Sequence, residues 1–264
     1  MAYEHLEISR RGNVAVVAFD RPERLNALSR DLMREITEAA NAFHGDLDTR
    51  AVVFTGRGKH FSAGVDMRDF GRGGGREATR LQQRRETRLG PEMIRSIFEI
   101  DQITIAAVNG AALGGGACIA TACDFRIGAR DSFCGYPEIK RGMNLHWVSL
   151  PLCVHLIGPS RAKRMIALGR NEDAETLLQW GFYDDVVEAD RLLERALEMA
   201  DDYARQPPIP AQMIKQSVNA VASALDRSIM HMDHDQWMLT ASTDDYREGV
   251  TAFFEKRDPD FRGD

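Results

Sequence analysis

The stretch ALGGGACIATACDF, residues 112–125, places three consecutive glycines at the head of an apolar, helix-like run. Glycine costs a helix interior roughly 1 kcal/mol relative to alanine, so Gly114-Gly115-Gly116 cannot serve helix propensity. A helix start that lets a ligand approach the backbone is the alternative. Just upstream, ITIAAVNG (103–110) is continuously apolar and ends in glycine, as does AVVFTG (51–56). Such runs suit strands buried on both faces of a parallel sheet, and helical segments between them make βαβ-type units.

Working outward, HLEIS and NVAVVAFD are β-branched runs split by a turn at Arg11-Gly12. Ser29 then precedes Leu32, Ile36, Ala39 and Phe43 at helical spacing, which predicts an N-capped amphipathic helix. The second half reads as mostly helical: PSRAKRMIALG (159–169), DAETLLQWG (173–181), DRLLERALEMADDYARQ (190–206), the segment after Pro210, and a last helix from Ser242-Thr243-Asp244-Asp245 to a stop at Pro259. The expected organisation is an α/β core over residues 1–200 and a helical region over 201–264. GRGGGRE (71–77) reads as a flexible loop. It leads into RLQQRRETRLG (80–90), where Arg84, Arg85 and Arg88 fit either a solvated helix face or a clamp for an anionic ligand.

With 264 residues, 44% of them hydrophobic and 28% charged, the chain can bury a substantial core. A net charge of -6 argues against a nucleic-acid partner, because such binding is dominated by basic neutralisation of phosphates. Cys118, Cys123, Cys134 and Cys153 have neither C-x-x-C spacing nor the density of a disulfide scaffold, as in a reducing compartment. The first ten residues hold no apolar signal region, and no apolar run reaches the ~20 residues that span a bilayer. A cytoplasmic protein with no membrane partner and no metal is the expectation.

Ala63-Gly64 and Gly114-Gly115 each follow a buried strand, where backbone N–H groups stand free of side-chain cover. Two such groups aimed at one point would form an oxyanion hole, although glycine-rich turns at strand ends are also common structural features.

Seven ordered segments carry more than spacing does: DRPERLNAL (20–28), GKHFSAGVDM (58–67), AAVNGAALGGG (106–116), CDFRIGARDSFCGYPEIKRGMN (123–144), GPSRAKRMIALG (158–169), AETLLQWGFYDDVV (174–187) and EGVTAFFEKRDPDF (248–261). Through them the chain resembles the enoyl-CoA hydratase/isomerase family, the crotonase superfamily, over essentially its whole length. The resemblance implies an α/β crotonase-like spiral of ββα units with a helical C-terminal trimerisation region. It implies a homotrimer or a dimer of trimers that binds an acyl-CoA thioester and stabilises its enolate. Coenzyme A would enter as part of the substrate, with no separate cofactor.

Residue by residue, the resemblance makes the N–H groups of Ala63 and Gly115 the oxyanion hole. It assigns Arg24, Leu25, Ala27, Ala63, Gly64, Val65, Asp66, Met67, Gly114 and Pro137 to CoA or substrate binding, and Phe253 and Lys256 to a neighbouring subunit's CoA. Of the two glutamates typical of hydratases, one position is Glu138 and the other is Cys118. Hydration divides its labour between two carboxylates, whereas moving a double bond needs one base, so a lone Glu138 fits isomerisation more naturally. Cys118 reads as a small buried residue or, with a lowered pKa, as a nucleophile. His146 stands where some relatives carry a catalytic aspartate and, titrating near neutrality, would be the second acid/base. Met143 and Trp147 would line the acyl pocket or the core. A hydrolase on the same scaffold, cleaving a carbon–carbon or thioester bond, and a non-catalytic CoA-binding relic are the competing readings.

Overall fold

Apolar runs buried on both faces build the central sheet. In a computed structural model of the protein the described residues are 3–70 and 79–264, so the expected loop at 71–77 lies outside them. Strands β1 (Leu6–Arg11) and β2 (Val14–Phe19) form the hairpin about Gly12. Then come β3 (Ala51–Gly56), β4 (Ile103–Val108), β5 (Ala111–Leu113), β6 (Phe125–Ala129), β7 (Phe133–Gly135), β8 (Asn171–Asp173) and β9 (Asp185–Val187). The large sheet has the order β1-β2-β3-β4-β6-β9, parallel from β2 onward, and β5-β7-β8 form a second, smaller sheet.

The helices are α1 (Arg30–Ala42), α2 (Met67–Phe70), α3 (Arg80–Glu86), α4 (Leu89–Phe98), α5 (Gly115–Ala122), α6 (Ser149–Ile157), α7 (Pro159–Ala167), α8 (Ala174–Trp180), α9 (Leu192–Ala204), α10 (Pro208–Ala222), α11 (Arg227–Met230), α12 (Asp233–Thr240) and α13 (Asp244–Glu255). Ser29 caps α1 by accepting from the Leu32 N–H. One path recurs along the chain: a long strand, a sharp turn, a short strand in the second layer, then a helix. β4-β5-α5 follows it. So does β6-β7, which runs into the 3₁₀ turn Pro137–Arg141 and α6. Parallel bridges Leu28↔Val65 and Ser62↔Ala112 extend the second layer to the segments after β2 and β3, completing the spiral of ββα units.

Side chains of the long strands divide by parity. Val52 and Phe54 face a core shared with α1, α4 and α5, while Ala51 and Val53 face α9. Along α9, Leu192, Ala196, Ala200 and Ala204 recur every four residues, and the alanines let the helix lie close to the sheet. Because α9 packs on the sheet and continues through Ala204, the α/β core extends to the break at Arg205–Pro207 rather than ending at 200. Helix α10 starts at Pro208, ahead of Pro210, since prolines in a first turn lose no intrahelical hydrogen bond. The last helix stops at Lys256, whose φ of 56° ends it three residues before Pro259.

Helix α10 is tied to the sheet by charge. Lys215 Nζ lies 2.7 Å from Asp124 Oδ2 and donates to the Gln102 carbonyl at 2.8 Å, with both side chains largely shielded from water. Asp124 also accepts from the N–H and hydroxyl of Thr104. Removing one partner of a buried pair strands the other charge, so Lys215→Met should lower the unfolding free energy by about 3 kcal/mol in urea denaturation. A loss under 1 kcal/mol would show that the pair does not anchor α10.

Candidate active site

Three backbone segments meet where the second layer begins. Asn26, fully buried, accepts from the Arg21 N–H and donates to the carbonyls of Arg57 and His60. This fixes the turn at Leu25 and Asn26, where φ is 54° and 52°, and lays residues 25–28 beside 63–66. The Leu28 N–H donates to Gly64 O at 2.8 Å and the Asp66 N–H to Leu28 O at 3.1 Å. Ser62 pairs in turn with β5, and the Gly114 N–H donates to Gly135 O at the end of β7. Glu138 follows three residues later.

This pairing corrects one expectation. The Ala63 N–H donates to Leu25 O at 3.0 Å, so it has no free hydrogen for a ligand. Gly64, at φ 88°, turns the chain, and the N–H of the next residue, Val65, has no acceptor among the described residues. The Gly115 N–H, in the first turn of α5, has none either. The open pair is therefore Val65 and Gly115. A Cβ on Gly64 would stand 2.7 Å from Leu113 O and 3.5 Å from the Gly115 nitrogen, which measures how closely the two segments approach.

The glycine run has a steric reason at each position. A Cβ on Gly114, where φ is 53°, would lie 2.8 Å from Glu138 Oε1 and 4.0 Å from Gly64 Cα. One on Gly115 would meet Trp147 Cζ3 at 2.4 Å and Leu28 Cδ1 at 2.7 Å, and one on Gly116 would meet Ser62 O at 2.5 Å. The carboxyl of Glu138, the head of α5 and the Gly64 turn thus share one small space.

Burial pushes the Glu138 carboxyl up to about 7, against smaller opposing effects of a backbone hydrogen bond and the Arg141 charge. Its Oε2 is shielded from water and has no hydrogen-bond partner among the described residues. The turn carrying it is held on both sides. Upstream, the hydroxyls of Tyr136 and Thr121 of α5 hydrogen-bond; downstream, the Arg141 guanidinium lies 4.3 Å from the Phe253 ring centre in α13.

Cys118, one turn into α5, is fully buried, and burial followed by the Glu138 charge drives its thiol well above the ordinary range. It is a neutral packing group and not an activated nucleophile. His146 also departs from expectation. Burial, aided by His234, pushes its imidazole down to about 3, so it stays neutral through the physiological range and titrates far below neutrality. Its ring packs between Trp147 and Trp237, each 5.7 Å away. Trp147 itself is buried against Gly115, with φ of 65° there and 53° at Val148, a costly conformation for bulky residues. The Val148 N–H donates to Asp233 Oδ2 of α12 at 2.6 Å, which holds the strap in place. Nothing in the sequence marked Trp147 as strained or Asp233 as its anchor.

Of the other expected binding residues, Arg24 and Leu25 are exposed at the turn, with half-buried Ala27 behind them. Asp66 is already engaged by Arg21 at 3.3 Å, Met67 opens α2, and Pro137 opens the turn that bears Glu138. Phe253 and Lys256 both lie at the end of α13. Among the described residues no group of three His, Cys, Asp or Glu could hold a metal, and no helix is long and apolar enough to cross a membrane.

The family model described as enoyl-CoA hydratase/isomerase matches residues 9–264. The short-chain-enoyl-CoA hydratase of Clostridium acetobutylicum is 31% identical over 258 residues, covering 97% of each chain. The crotonyl-CoA hydratase of Syntrophomonas wolfei is 31% identical over 263 residues, covering 99% of each. Among solved structures, carnitinyl-CoA hydratase from Mycobacterium avium superposes with a TM-score of 0.88 at 28% identity, covering 100% of both chains.

The close packing at the head of α5 is directly testable. Gly115→Ala places a methyl 2.4 Å from the Trp147 ring, so the indole must leave its seat. Turnover should fall by at least ~10²-fold if one backbone donor of the pair is displaced, with a shift in tryptophan fluorescence reporting the movement. Retained turnover would remove Gly115 from the site.

Proposed function

The chain belongs to the enoyl-CoA hydratase/isomerase family, a family of acyl-CoA-processing enzymes, and from that premise we propose that Glu138 shuttles a proton on an enoyl-CoA thioester while the Val65 and Gly115 N–H groups hold the enolate oxygen. The observation that carries this reading is the Glu138 carboxyl, shielded, unpartnered at Oε2 and raised to about 7, beside the glycine run whose N–H stands open. A base near the working pH combines a useful ionised fraction with enough basicity to take a carbon-bound proton.

In a double-bond shift, the ionised carboxylate takes the Cα proton of a 3-enoyl thioester. The electron pair moves into the conjugated dienolate, placing negative charge on the thioester oxygen at the two N–H donors. Helix α5 points its positive end at that charge. The protonated carboxyl then returns the proton to the γ carbon, giving the 2-enoyl product. One acid/base suffices, and the neutral Cys118 thiol adds none. Hydration is the second reading, favoured by the names of the relatives; neutral His146 would then orient the water without supplying a proton as a cation. The CoA moiety would run along Arg24, Leu25 and Ala27 toward Asp66 and Met67.

Assembly into trimers is part of the proposal. Ile209, Met213, Ile214, Val218, Val221 and Leu225 are exposed on and just after α10, an apolar surface that a partner subunit would cover. Phe253 and Lys256 would then lie near a neighbour's CoA.

Incubation with 2-enoyl- and 3-enoyl-CoA thioesters in deuterated water, read by mass spectrometry, separates the readings. Shifted double bonds or deuterium uptake are expected; a gain of one water means hydration, and free CoA means hydrolysis. Glu138→Gln should cost at least ~10²-fold in rate. The kcat/KM of the unmodified enzyme should rise with pH through about 7 as Glu138 ionises, and the variant should lose that limb. Holding this carboxyl above its ordinary 4.5 also penalises the fold once the unfolded chain's glutamate ionises. Glu138→Gln should therefore raise the Tm at pH 8 and leave it unchanged at pH 4. A flat pH profile with an unaffected rate would remove Glu138 from the mechanism.

A further inference from the structure

A cavity of about 290 Å³ lies between α3–α4 and α11–α12, lined by Arg84, Arg88, Glu92, Arg95, Met230, His231 and His234. None of these belongs to the site described above. Arg84 Nε pairs with Asp235 at 2.9 Å. The guanidinium groups of Arg88 and Arg95 form no ion pair or hydrogen bond with any described residue, and Glu92, four residues after one and three before the other, pairs with neither. Both cations are thus without a direct counter-ion, the carboxylates near them being Glu92 between them and Asp233 of α12, on which the Arg95 charge acts. His234, its buried wall, feels these arginines: burial and then Arg88, Arg95 and Arg84 push its imidazole down, against the opposing Asp235 charge, and so favour the uncharged, hydrogen-bonding form.

The cavity adjoins the proposed catalytic site through Trp147. Gly90, two residues after Arg88, lies against the Trp147 indole, and the same ring lies against Gly115. Asp233, which accepts from Val148, immediately precedes His234 on α12. One indole ring and one strap therefore stand between the open Gly115 N–H and the arginine-lined space.

We propose that this cavity is a carboxylate-binding site, with Arg88 and Arg95 as its cationic walls, and that it takes the distal carboxylate of a dicarboxylic acyl group. The origin of that carboxylate rests on the acyl-CoA reading; the cavity's affinity for carboxylate does not. A planar guanidinium matches a carboxylate with two parallel N–H···O bonds, and a partly enclosed pair is worth more than a surface one. A plain alkyl chain would leave both guanidinium groups unpaired and gains nothing from the site.

The test compares two enoyl-CoA thioesters of equal chain length, one ending in a methyl and one in a carboxylate, on the purified full chain and on Arg88→Gln, Arg95→Gln and Glu92→Gln. Thermal shifts with adipate and glutarate run in parallel. The wild type should favour the carboxylated thioester, and each arginine variant should lose at least ~10-fold in kcat/KM on it while keeping its rate on the methyl-ended one. Glu92→Gln should improve the carboxylated substrate. No substrate preference, with stabilisation by free dicarboxylate that either arginine variant abolishes, assigns the site to a free carboxylate. That same stabilisation with no turnover of any thioester keeps the cavity and overturns the catalytic reading. Equal rates on both thioesters in every variant, with no shift from either dicarboxylate, overturns the proposal.

Discussion

The active region depends on a place where nothing larger than a hydrogen atom fits. At 114–116 the head of a fully buried helix is pressed against a carboxyl, an indole ring and a backbone carbonyl at once. Each contact is closer than a Cβ permits, so the chain accepts the conformational cost of three glycines in exchange for bare backbone. The parallel bridges on either side then follow. Segments 25–28, 62–66 and 111–115 can lie flat against each other only because Gly64 and the glycine run carry no side chains between them.

That same crowding sets the electrostatics. A carboxyl in this space loses most of its water and gains few hydrogen bonds, which is why Glu138 ionises near neutrality while Glu248, hydrogen-bonded by Arg257, is held down at about 2. The cost is structural and the benefit chemical, a division common where a group must exchange protons. Cys118 shows the converse. A second carboxylate one turn into α5 would have to share the poorly solvated space with Glu138; the Cys118 thiol, driven well above its ordinary range by burial and then by Glu138, stays neutral there.

What the sequence disclosed was governed by distance along the chain. AVVFTG and ITIAAVNG announced themselves as two-face-buried strands, and Ser29 as a cap, because those signals are local. The glycine run and Glu138 stand out as candidate site elements for the same reason. The resemblance points to the Ala63 N–H, and what engages that group is a partner 38 residues away: the Leu25 carbonyl takes it, while the Val65 N–H beyond the Gly64 turn has no acceptor among the described residues. His146 looked titratable because its neighbours in space, Trp237 and His234, come from α12. The arginine cluster was visible at Arg84 and Arg88, yet Arg95 and the wall from His231 and His234 belong to elements that only folding brings together.

The hold of Asp233 on Val148 has a consequence for how the protein is made. The strap that seats Trp147 against Gly115 closes on a residue 85 positions later in the chain. On a ribosome, the strand layers and the glycine run emerge well before that anchor does. A nascent chain therefore carries the Glu138 carboxyl without the wall beside it until α12 has been made.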